Sequence, residues 1–279
     1  MNQFCCGRNS YSRRQKQLVG KVNVKENWSF PRFAIAQGSD RYFDSTGSPA
    51  MDLSGARAFA RQKVADVREH QQPLAQQRTA AVAERLQKVL AAFEAERVGT
   101  QHFASVSGYG HGDQGREVID RVFARVLGAE SAVVRLQFVS GTHAIAAALF
   151  GVLRPGDRML SITGRPYDTL EEVIGLRGEG QGSLRDFGIA YDELQLTADG
   201  EVDEQALEQA LDVPRRLILI QRSCGYSWRP SLTVQTIGRF CARIHELQPD
   251  CVCFVDNCYG ELVEAQEPSD VGADLVAGS

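Results

Sequence analysis

Two short apolar runs, Arg216-Leu-Ile-Leu-Ile-Gln221 and Cys251-Val-Cys-Phe-Val-Asp256, stand on either side of a helical stretch at 234–247, and this alternation decides the fold. Short apolar runs separated by helices are typical of strands that are buried on both faces of a parallel sheet. Working outward, we predict further strands at 132–139, 158–163 and 188–196, and helices at 142–153, 170–174 and 203–211. This order predicts a three-layer α/β domain whose ligand site lies beyond the carboxyl ends of the strands.

The region before these strands has a different character. Residues 1–50 are rich in Asn, Ser, Gln, Arg and Gly without a sustained period, which predicts a poorly ordered leader. Residues 51–115 predict an N-terminal helical segment that ends in a glycine-rich link, and residues 116–279 predict the large domain. The apolar stripes of the two predicted amphipathic helices consist of Val82, Leu86, Val89, Leu90 and Phe93, and of Val118, Ile119, Val122, Phe123, Val126 and Leu127.

Composition excludes several classes of partner. The chain has 279 residues, 43% of them hydrophobic and 24% charged, which is typical of globular proteins. A formal net charge of −4 gives no electrostatic reason to expect nucleic acid or an anionic membrane as a partner. No stretch approaches the roughly 20 apolar residues of a membrane span, and the first residues lack the apolar core of a secretory signal. We therefore expect a cytoplasmic protein that binds a small molecule.

The seven cysteines are too few and too irregularly spaced for a disulfide framework. Cys251, Cys253 and Cys258 suggest a zinc site, but alternation along the predicted strand puts Cys251 and Cys253 on one face. No paired CxxC or HxxxH motif accompanies them. We therefore favour core packing and expect no metal.

A phosphate site is predicted at Ser140-Gly-Thr-His143, between a predicted strand and the helix that follows it. The first turn of a helix directs free backbone N–H groups towards an anion. Gly141 permits a close approach, and Ser140 and Thr142 add hydroxyl donors. The alternative is an ordinary helix cap by Ser140 or Thr142.

An acidic residue ends the last predicted strand, in the segment Phe254-Val-Asp-Asn-Cys-Tyr-Gly-Glu261. A buried carboxylate at Asp256 could keep the nitrogen of a bound pyridine ring protonated, and a protonated ring withdraws electrons from a substrate carbanion. The alternative is a strand-end aspartate that caps the next turn.

An aromatic residue, Tyr167, follows another predicted strand end, in Thr163-Gly-Arg-Pro-Tyr-Asp-Thr-Leu170. Tyr167 could stack on a flat ring, or it could simply pack on its own domain. The phosphate motif, Tyr167 and Asp256 come at three strand ends and would therefore face one crevice. Their coincidence favours a site for a phosphorylated aromatic cofactor.

The motifs together resemble the aluminium-resistance, methionine gamma-lyase-like family of pyridoxal 5'-phosphate (PLP) proteins. The resemblance covers roughly residues 75–279 and rests on the segments 109–116, 137–150, 153–157, 164–175, 221–232 and 256–279. It implies the type I PLP-dependent transferase fold, like that of aspartate aminotransferase. It also implies a homodimer or homotetramer whose subunits share active sites.

The resemblance assigns a role to each matching residue. Ser140, Gly141, Thr142 and Ser279 would bind the cofactor phosphate, Tyr167 would stack on the ring, and Asp256 would pair with the ring nitrogen. Tyr109 and Arg116 would reach the phosphate from the neighbouring subunit, which makes residues 51–115 a dimer-contact segment. The alternative for this pair is a glycine-rich turn with a solvated arginine. Arg222 and Arg229 could bind a substrate carboxylate, or form surface ion pairs.

The chain departs from the family pattern in three ways. His111 replaces a tyrosine, and Cys224 replaces an arginine. The cofactor-binding lysine, which in the family follows shortly after the segment Ala277-Gly-Ser279, is absent, because all five lysines precede residue 89. We therefore expect a fragment that lacks this lysine, expected just beyond Ser279, and the C-terminal subdomain as well.

For the intact protein, the resemblance implies PLP-dependent cleavage of a carbon–sulfur bond in a sulfur amino acid such as methionine, cysteine or cystathionine. Another PLP reaction on the same fold, by an aminotransferase, a desulfurase or an aldolase, is an alternative, because a fold does not determine a reaction. A third possibility is a non-catalytic pseudoenzyme or remnant.

Overall fold

A computed structural model describes residues 54–106, 112–178 and 181–278. Two compact units, Met1–Ala75 and Gln76–Ser279, divide the chain. The described helices are α1 Ser54–Ala95, α2 Gln114–Leu127, α3 Gly141–Val152, α4 Asp168–Ile174, α5 Glu204–Ala210 and α6 Val234–Leu247. The described strands are β1 Arg158–Ser161, β2 Ala190–Glu193, β3 Leu217–Gln221, β4 Val252–Asp256 and β5 Leu275–Ala277.

The five strands form one parallel sheet in the order β2-β1-β3-β4-β5. Every residue of β3 is buried, so this strand is covered on both faces, as its continuous apolar run predicts. Ile218 and Ile220 face the helices α5 and α6, whereas Leu217 and Leu219 face α3 and α4. The predicted three-layer α/β architecture is confirmed.

Apolar side chains of the helices complete the two cores. On one face of the sheet, α5 and α6 contribute Leu207, Ile237, Phe240 and Ile244; on the other, α3 and α4 contribute Ile145, Leu149, Leu170 and Ile174. Full burial of a side chain of this size contributes about 1.5–3 kcal/mol. Both faces of the sheet are therefore well packed.

Helix α2 packs through one side of its predicted stripe. Val118, Val122 and Val126 are buried against Ala92, with Val89 partly buried beside them. The rest of the predicted stripe on the first helix is exposed, with Val82 at 65% and Leu86 at 55%. Among the described residues, only the turn around Val89 and Ala92 therefore packs against α2.

The predicted strand at 132–139 is also wrong. This segment forms no ladder with the described sheet, and Val133, Leu136 and Val139 are exposed. Asp120 of α2 holds it instead, because its carboxylate accepts the Val134 N–H at 2.8 Å and pairs with Arg135. An alternating apolar pattern is compatible with a strand, but a strand also needs a neighbouring strand to which it can hydrogen-bond. The local pattern does not show whether that neighbour exists.

The other predicted elements are present within a few residues of their expected ends, and α6 has the expected bounds. Strand β5, which has three residues, was not predicted. The leader at 1–50 and part of the glycine-rich link, residues 107–111, lie outside the described residues, so the domain boundaries at 50/51 and 115/116 stay predictions. Among the described helices, none combines the length and apolar content needed to cross a membrane.

Candidate functional site

The carboxyl ends of the parallel strands meet at one edge of the sheet. At this carboxyl edge, Thr163 follows β1, Gln221 ends β3 and Asp256 ends β4. The Gln221 backbone N–H donates to Thr163 Oγ1 at 3.0 Å, which fixes the turn after β1 against β3. The strand order changes direction between the neighbouring strands β1 and β3. An open α/β sheet forms its ligand crevice at such a point, beyond the carboxyl ends of the strands.

The Asp256 side chain is a buried carboxyl group at this edge, only 3% exposed. Its Oδ1 accepts the Cys258 backbone N–H at 3.1 Å. Burial raises the pKa of Asp256, and contacts with Cys258 and the charge of Arg229 oppose this shift only in part. Among the described residues no cation lies within ion-pair distance of this carboxyl. Asp256 is therefore a buried acid whose charge would be stabilised by a cationic ligand atom.

Tyr167 and Thr142 lie together, and Tyr167 is within electrostatic range of Asp256. The Tyr167 hydroxyl is 3.2 Å from Thr142 Oγ1, and Thr169 Oγ1 is 2.9 Å from the same oxygen. Burial raises the pKa of Tyr167 to about 12, and the nearby Asp256 charge contributes in the same direction. The phenol therefore stays neutral at physiological pH. The structure thus brings together three of the residues predicted from sequence.

Ser140 caps α3, because its Oγ accepts the His143 backbone N–H at 3.1 Å. This is the alternative that the sequence left open, and it is compatible with a ligand, since the capping hydroxyl keeps its own hydrogen. The backbone N–H groups of Gly141 and Thr142 belong to the first turn, where no carbonyl within the helix can accept them. The start of α3 can therefore bind an anion, with Thr142 Oγ1 pointing towards Tyr167.

Arg229 is a buried cation near Asp256, only 8% exposed. Its guanidinium donates to the backbone carbonyls of Pro230 at 3.0 Å and Gln221 at 2.8 Å, and also to that of Ser223. Burial lowers the pKa of Arg229, and the charge of Asp256 opposes this shift. Within the described chain no carboxylate forms an ion pair with Arg229. The surface ion pair considered from sequence is therefore absent for this arginine, among those residues.

Arg222 has a different environment. It is 4% exposed, and its guanidinium donates to Asn257 Oδ1 at 2.8 Å, the Gly260 carbonyl at 2.7 Å and Glu264 Oε1 at 2.7 Å. The Leu232 carbonyl accepts from Nε at 3.4 Å, so each nitrogen has a partner. These contacts secure the loop after β4 and use the donors that a substrate carboxylate would need. The geometry does not favour the predicted substrate contact of Arg222.

The residues predicted to act across a subunit interface are only partly described. Arg116 forms an ion pair with Asp113 of its own chain at 3.0 Å, and Asp113 also caps α2. Tyr109 and Ser279 lie outside the described residues, as does His111. The cofactor contacts of Tyr109, Arg116 and Ser279 therefore stay predictions.

Three residues near the site were not predicted from sequence to belong to it, and Cys258 was considered only for a zinc site. Thr169 hydrogen-bonds to the Thr142 hydroxyl, which also contacts Tyr167. Its position two residues after Tyr167 in the same motif was the available signal. The Cys258 thiol lies against Asp256. Glu261 raises the pKa of Asp256 by its charge, and its Oε1 would lie 2.3 Å from a side-chain carbon at position 278. The Glu261 carboxylate therefore lies against the backbone at Gly278.

Comparison with known proteins gives a consistent answer. A family model described as methionine gamma-lyase matches residues 59–279. The uncharacterized protein YnbB of Bacillus subtilis (strain 168) is 49% identical over 193 residues, which are 69% of this chain and 46% of YnbB.

Solved structures share the architecture. A candidate cystathionine beta-lyase involved in aluminium resistance from Listeria innocua is 46% identical, with a TM-score of 0.76 over 78% of this chain and 54% of that one. The PLP-dependent protein YhfS from Escherichia coli is 18% identical, with a TM-score of 0.54 over 70% of this chain and 49% of that one, and it shows the fold alone.

These matches confirm the resemblance noted in the motifs. The chain spans about half the length of the relatives it matches. It has the fold of type I PLP-dependent enzymes over the part that it covers. The chain therefore belongs to the methionine gamma-lyase family, a family of PLP-dependent, cystathionine- and methionine-lyase-like proteins.

Proposed function

We propose that this chain carries the cofactor-binding core of a PLP-dependent carbon–sulfur lyase that acts on a sulfur amino acid. The observation that carries the proposal is the buried Asp256 carboxyl, whose charge acts on Tyr167 and which has no cationic partner among the described residues. Tyr167 in turn contacts Thr142 at the start of α3. Membership of the family and the name of the Listeria innocua relative support the choice of reaction class.

The chemistry of the site fits PLP group by group. The N–H groups at the start of α3 and the Thr142 hydroxyl suit the phosphate dianion. Tyr167, whose phenol stays neutral, offers an aromatic face for the ring. Asp256 suits the ring nitrogen, because a protonated nitrogen supplies the positive charge that a buried carboxylate lacks here. Ser140, Gly141, Ser279, Tyr109 and Arg116 complete the proposed cofactor-binding set.

When bound, PLP supplies an electron-withdrawing ring that stabilises negative charge on the α-carbon of an amino acid. The role of Asp256 is to hold the proton on the ring nitrogen. Burial makes this possible, because the carboxylate and the ring then interact in a medium of low dielectric constant. Tyr167 holds the plane of the ring, and its hydroxyl contact with Thr142 sets the orientation of the phenol relative to α3.

Arg229 is the proposed contact for the substrate carboxylate. The carbonyls of Gln221 and Ser223 fix its guanidinium at the end of β3, next to the strand that carries Asp256. Its positive charge is not matched by a carboxylate within the described residues, so an anionic substrate group would complete its environment. Arg222 is left out of this role because Glu264 and Asn257 already engage it.

We propose that the lysine that binds the cofactor and moves the α-proton follows Ser279 in the full-length protein. The lysines of this chain end at Lys88, and the described ones, Lys63 and Lys88, both lie in α1. We also propose that the intact protein forms a homodimer or homotetramer. An aminotransferase, a desulfurase or an aldolase would use the same cofactor contacts, so the products decide among these reactions.

The test measures the products of the protein extended beyond Ser279 to the length of its relatives. It is incubated with PLP and with cystathionine, methionine or cysteine, and thiol or sulfide, keto acid and ammonia are quantified. A lyase releases all three in equal amounts. Keto acid formed without ammonia, and only when a second keto acid is supplied, would identify an aminotransferase. Absence of thiol and sulfide with every substrate would refute the proposal.

A further inference from the structure

A second group of ligand-type side chains lies at the amino end of β4, away from the cofactor site. His245, Cys253 and Asp274 each offer one donor atom, and these atoms all lie within 4.8 Å of one another. Cys253 begins the buried part of β4 and is three residues, or roughly 10 Å, from Asp256 along the strand. His245 belongs to α6, and Asp274 comes just before β5.

The group is held by the fold rather than by chance contact of long side chains. The Cys253 backbone N–H donates to Asp274 Oδ2 at 2.8 Å, and the Asp274 N–H donates to the Cys253 carbonyl at 3.0 Å. His245 Nε2 lies 2.9 Å from the same Asp274 oxygen. Three separate elements therefore deliver a nitrogen, a sulfur and an oxygen donor to one point.

This donor set matches a borderline-soft divalent cation. Zinc binds sulfur at about 2.3 Å, and nitrogen and oxygen at about 2.0–2.2 Å, so tetrahedral ligands lie roughly 3.3–3.8 Å apart. A limit of 4.8 Å between the donors here requires only small side-chain movements. Histidine and cysteine together disfavour magnesium and calcium, which select oxygen ligands.

We propose that His245, Cys253 and Asp274 form a zinc-type cation site, with solvent as the fourth ligand. The side chains of His245 and Asp274 are 30% and 45% exposed, which gives an ion a route from solvent, whereas Cys253 is fully buried. The Cys241 thiol, one helical turn before His245, hydrogen-bonds to the Cys253 thiol and would orient it. This set differs from the Cys251, Cys253 and Cys258 group considered from sequence.

Binding of the cation requires that the Cys253 thiol lose its proton. The Cys241 contact and burial raise the pKa of Cys253, so its thiol is protonated before the ion arrives and its proton goes to solvent on binding. The bound ion would link α6, β4 and β5, and would stabilise the fold independently of the cofactor site.

The experiment titrates the metal-free 279-residue chain with Co²⁺, which replaces zinc and absorbs light. We expect one equivalent with the visible bands of tetrahedral cobalt and the near-ultraviolet band of a thiolate ligand, displaced by zinc. Asp274→Asn and His245→Gln change partly exposed side chains, so the fold should survive. Each should weaken binding at least about 100-fold, since even loss of a residue that supports a ligand costs 10–100-fold.

Cys253→Ser should abolish the thiolate band, and Cys224→Ser is the matched control. Cys224 is also a free cysteine, but it belongs to the loop after β3 and should leave the titration unchanged. No cobalt uptake, or uptake that is equal in the wild type and in the Asp274→Asn and His245→Gln variants, would overturn the proposal. Because PLP is absent from the titration, its result is separate from the proposed function.

Discussion

At the scale of single residues, Asp256 combines a stability cost with a function. Its carboxyl is buried among the described residues without a cationic partner, and burial raises its pKa. An ionised group in such a position destabilises the folded chain until a positive charge is provided. A bound ring nitrogen would provide this charge, so the energetic cost of Asp256 is itself a sign of a ligand site.

Asp256→Asn should therefore stabilise the chain in the absence of PLP at neutral pH. The folded-state pKa lies above the unfolded value of about 3.9, so the wild type loses stability as the pH rises through this interval. The asparagine keeps an oxygen for the Cys258 N–H but has no charge. The melting temperature should rise by about 2–4 °C per kcal/mol of penalty removed.

The measurement is thermal unfolding of both chains between acidic and neutral pH. The difference should be largest at neutral pH and should close as the pH falls towards about 4. The exposed Asp212 provides the control, since Asp212→Asn should leave the pH profile unchanged. A wild type that is more stable than Asp256→Asn at neutral pH without PLP would contradict this reading.

Tyr167 should contribute to PLP binding mainly through its ring. Tyr167→Phe loses the hydroxyl contact with Thr142 but keeps the aromatic face, so the dissociation constant for PLP should change by no more than a few-fold. Tyr167→Ala also removes the ring, and stacking of about 0.5–1.5 kcal/mol corresponds to roughly a 2–10-fold loss. Equilibrium fluorescence titration measures both. Equal losses for the two variants would assign the contribution to the hydroxyl instead.

Substitution of the two arginines predicted as substrate contacts should have different effects, one on KM and the other mainly on the free energy of unfolding. Arg229→Gln in the extended protein should raise KM for the amino acid by about 10–100-fold, as expected for a charge-assisted contact. It should also destabilise the fold by about 1–3 kcal/mol, because the carbonyls of Gln221 and Ser223 lose their donor. Arg222→Gln removes the charge next to the fully buried Glu267 and should destabilise the fold by about 3–5 kcal/mol. Kinetics and chemical denaturation of both variants give the comparison. The reverse pattern would return Arg222 to the substrate site.

At the scale of elements, the sequence predicts those features that depend on a local pattern of residues. Helix α6 was predicted with its observed bounds because its apolar residues repeat with the helical period and Thr233 caps it. Asp256 was predicted as a site residue because a polar residue that ends an apolar strand lies at a predictable edge of the sheet. The candidate residues at the start of α3 and α4 were predicted from their position ahead of a helix, and the cofactor contacts of all of them stay predictions.

The same local patterns could not predict contacts between residues that are far apart in the sequence. The segment 132–139 has strand-like alternation, but Asp120 engages it and no strand is paired with it in the described sheet. The partners of Arg222, Asn257 and Glu264, come 35 and 42 residues later. Local patterns do not show such distant contacts, so the sequence left Arg222 available as a substrate contact. The strand β5 is too short, at three residues, for periodicity to show.

At the scale of the whole molecule, exposed apolar side chains point to association between subunits. Val133, Leu136, Val139 and Trp228 are all largely exposed, which is costly for large apolar groups in a lone subunit. We predict that the extended protein is a homodimer or homotetramer in light scattering, and that Leu136→Glu shifts it towards the monomer. Phe187→Glu, at an exposed position outside that segment, is the control. A monomeric wild type would contradict the prediction.

The most direct test of the proposed cofactor site is equilibrium binding of PLP to the 279-residue chain, wild type and Asp256→Asn, followed by borohydride reduction. We predict that the wild type binds PLP, that Asp256→Asn binds about 10–100-fold more weakly through loss of a charged hydrogen bond, and that borohydride fixes no cofactor to the chain. Equal binding by the two chains, or cofactor fixed to Lys63 or Lys88, would contradict a site built on Asp256 that awaits a lysine from beyond Ser279.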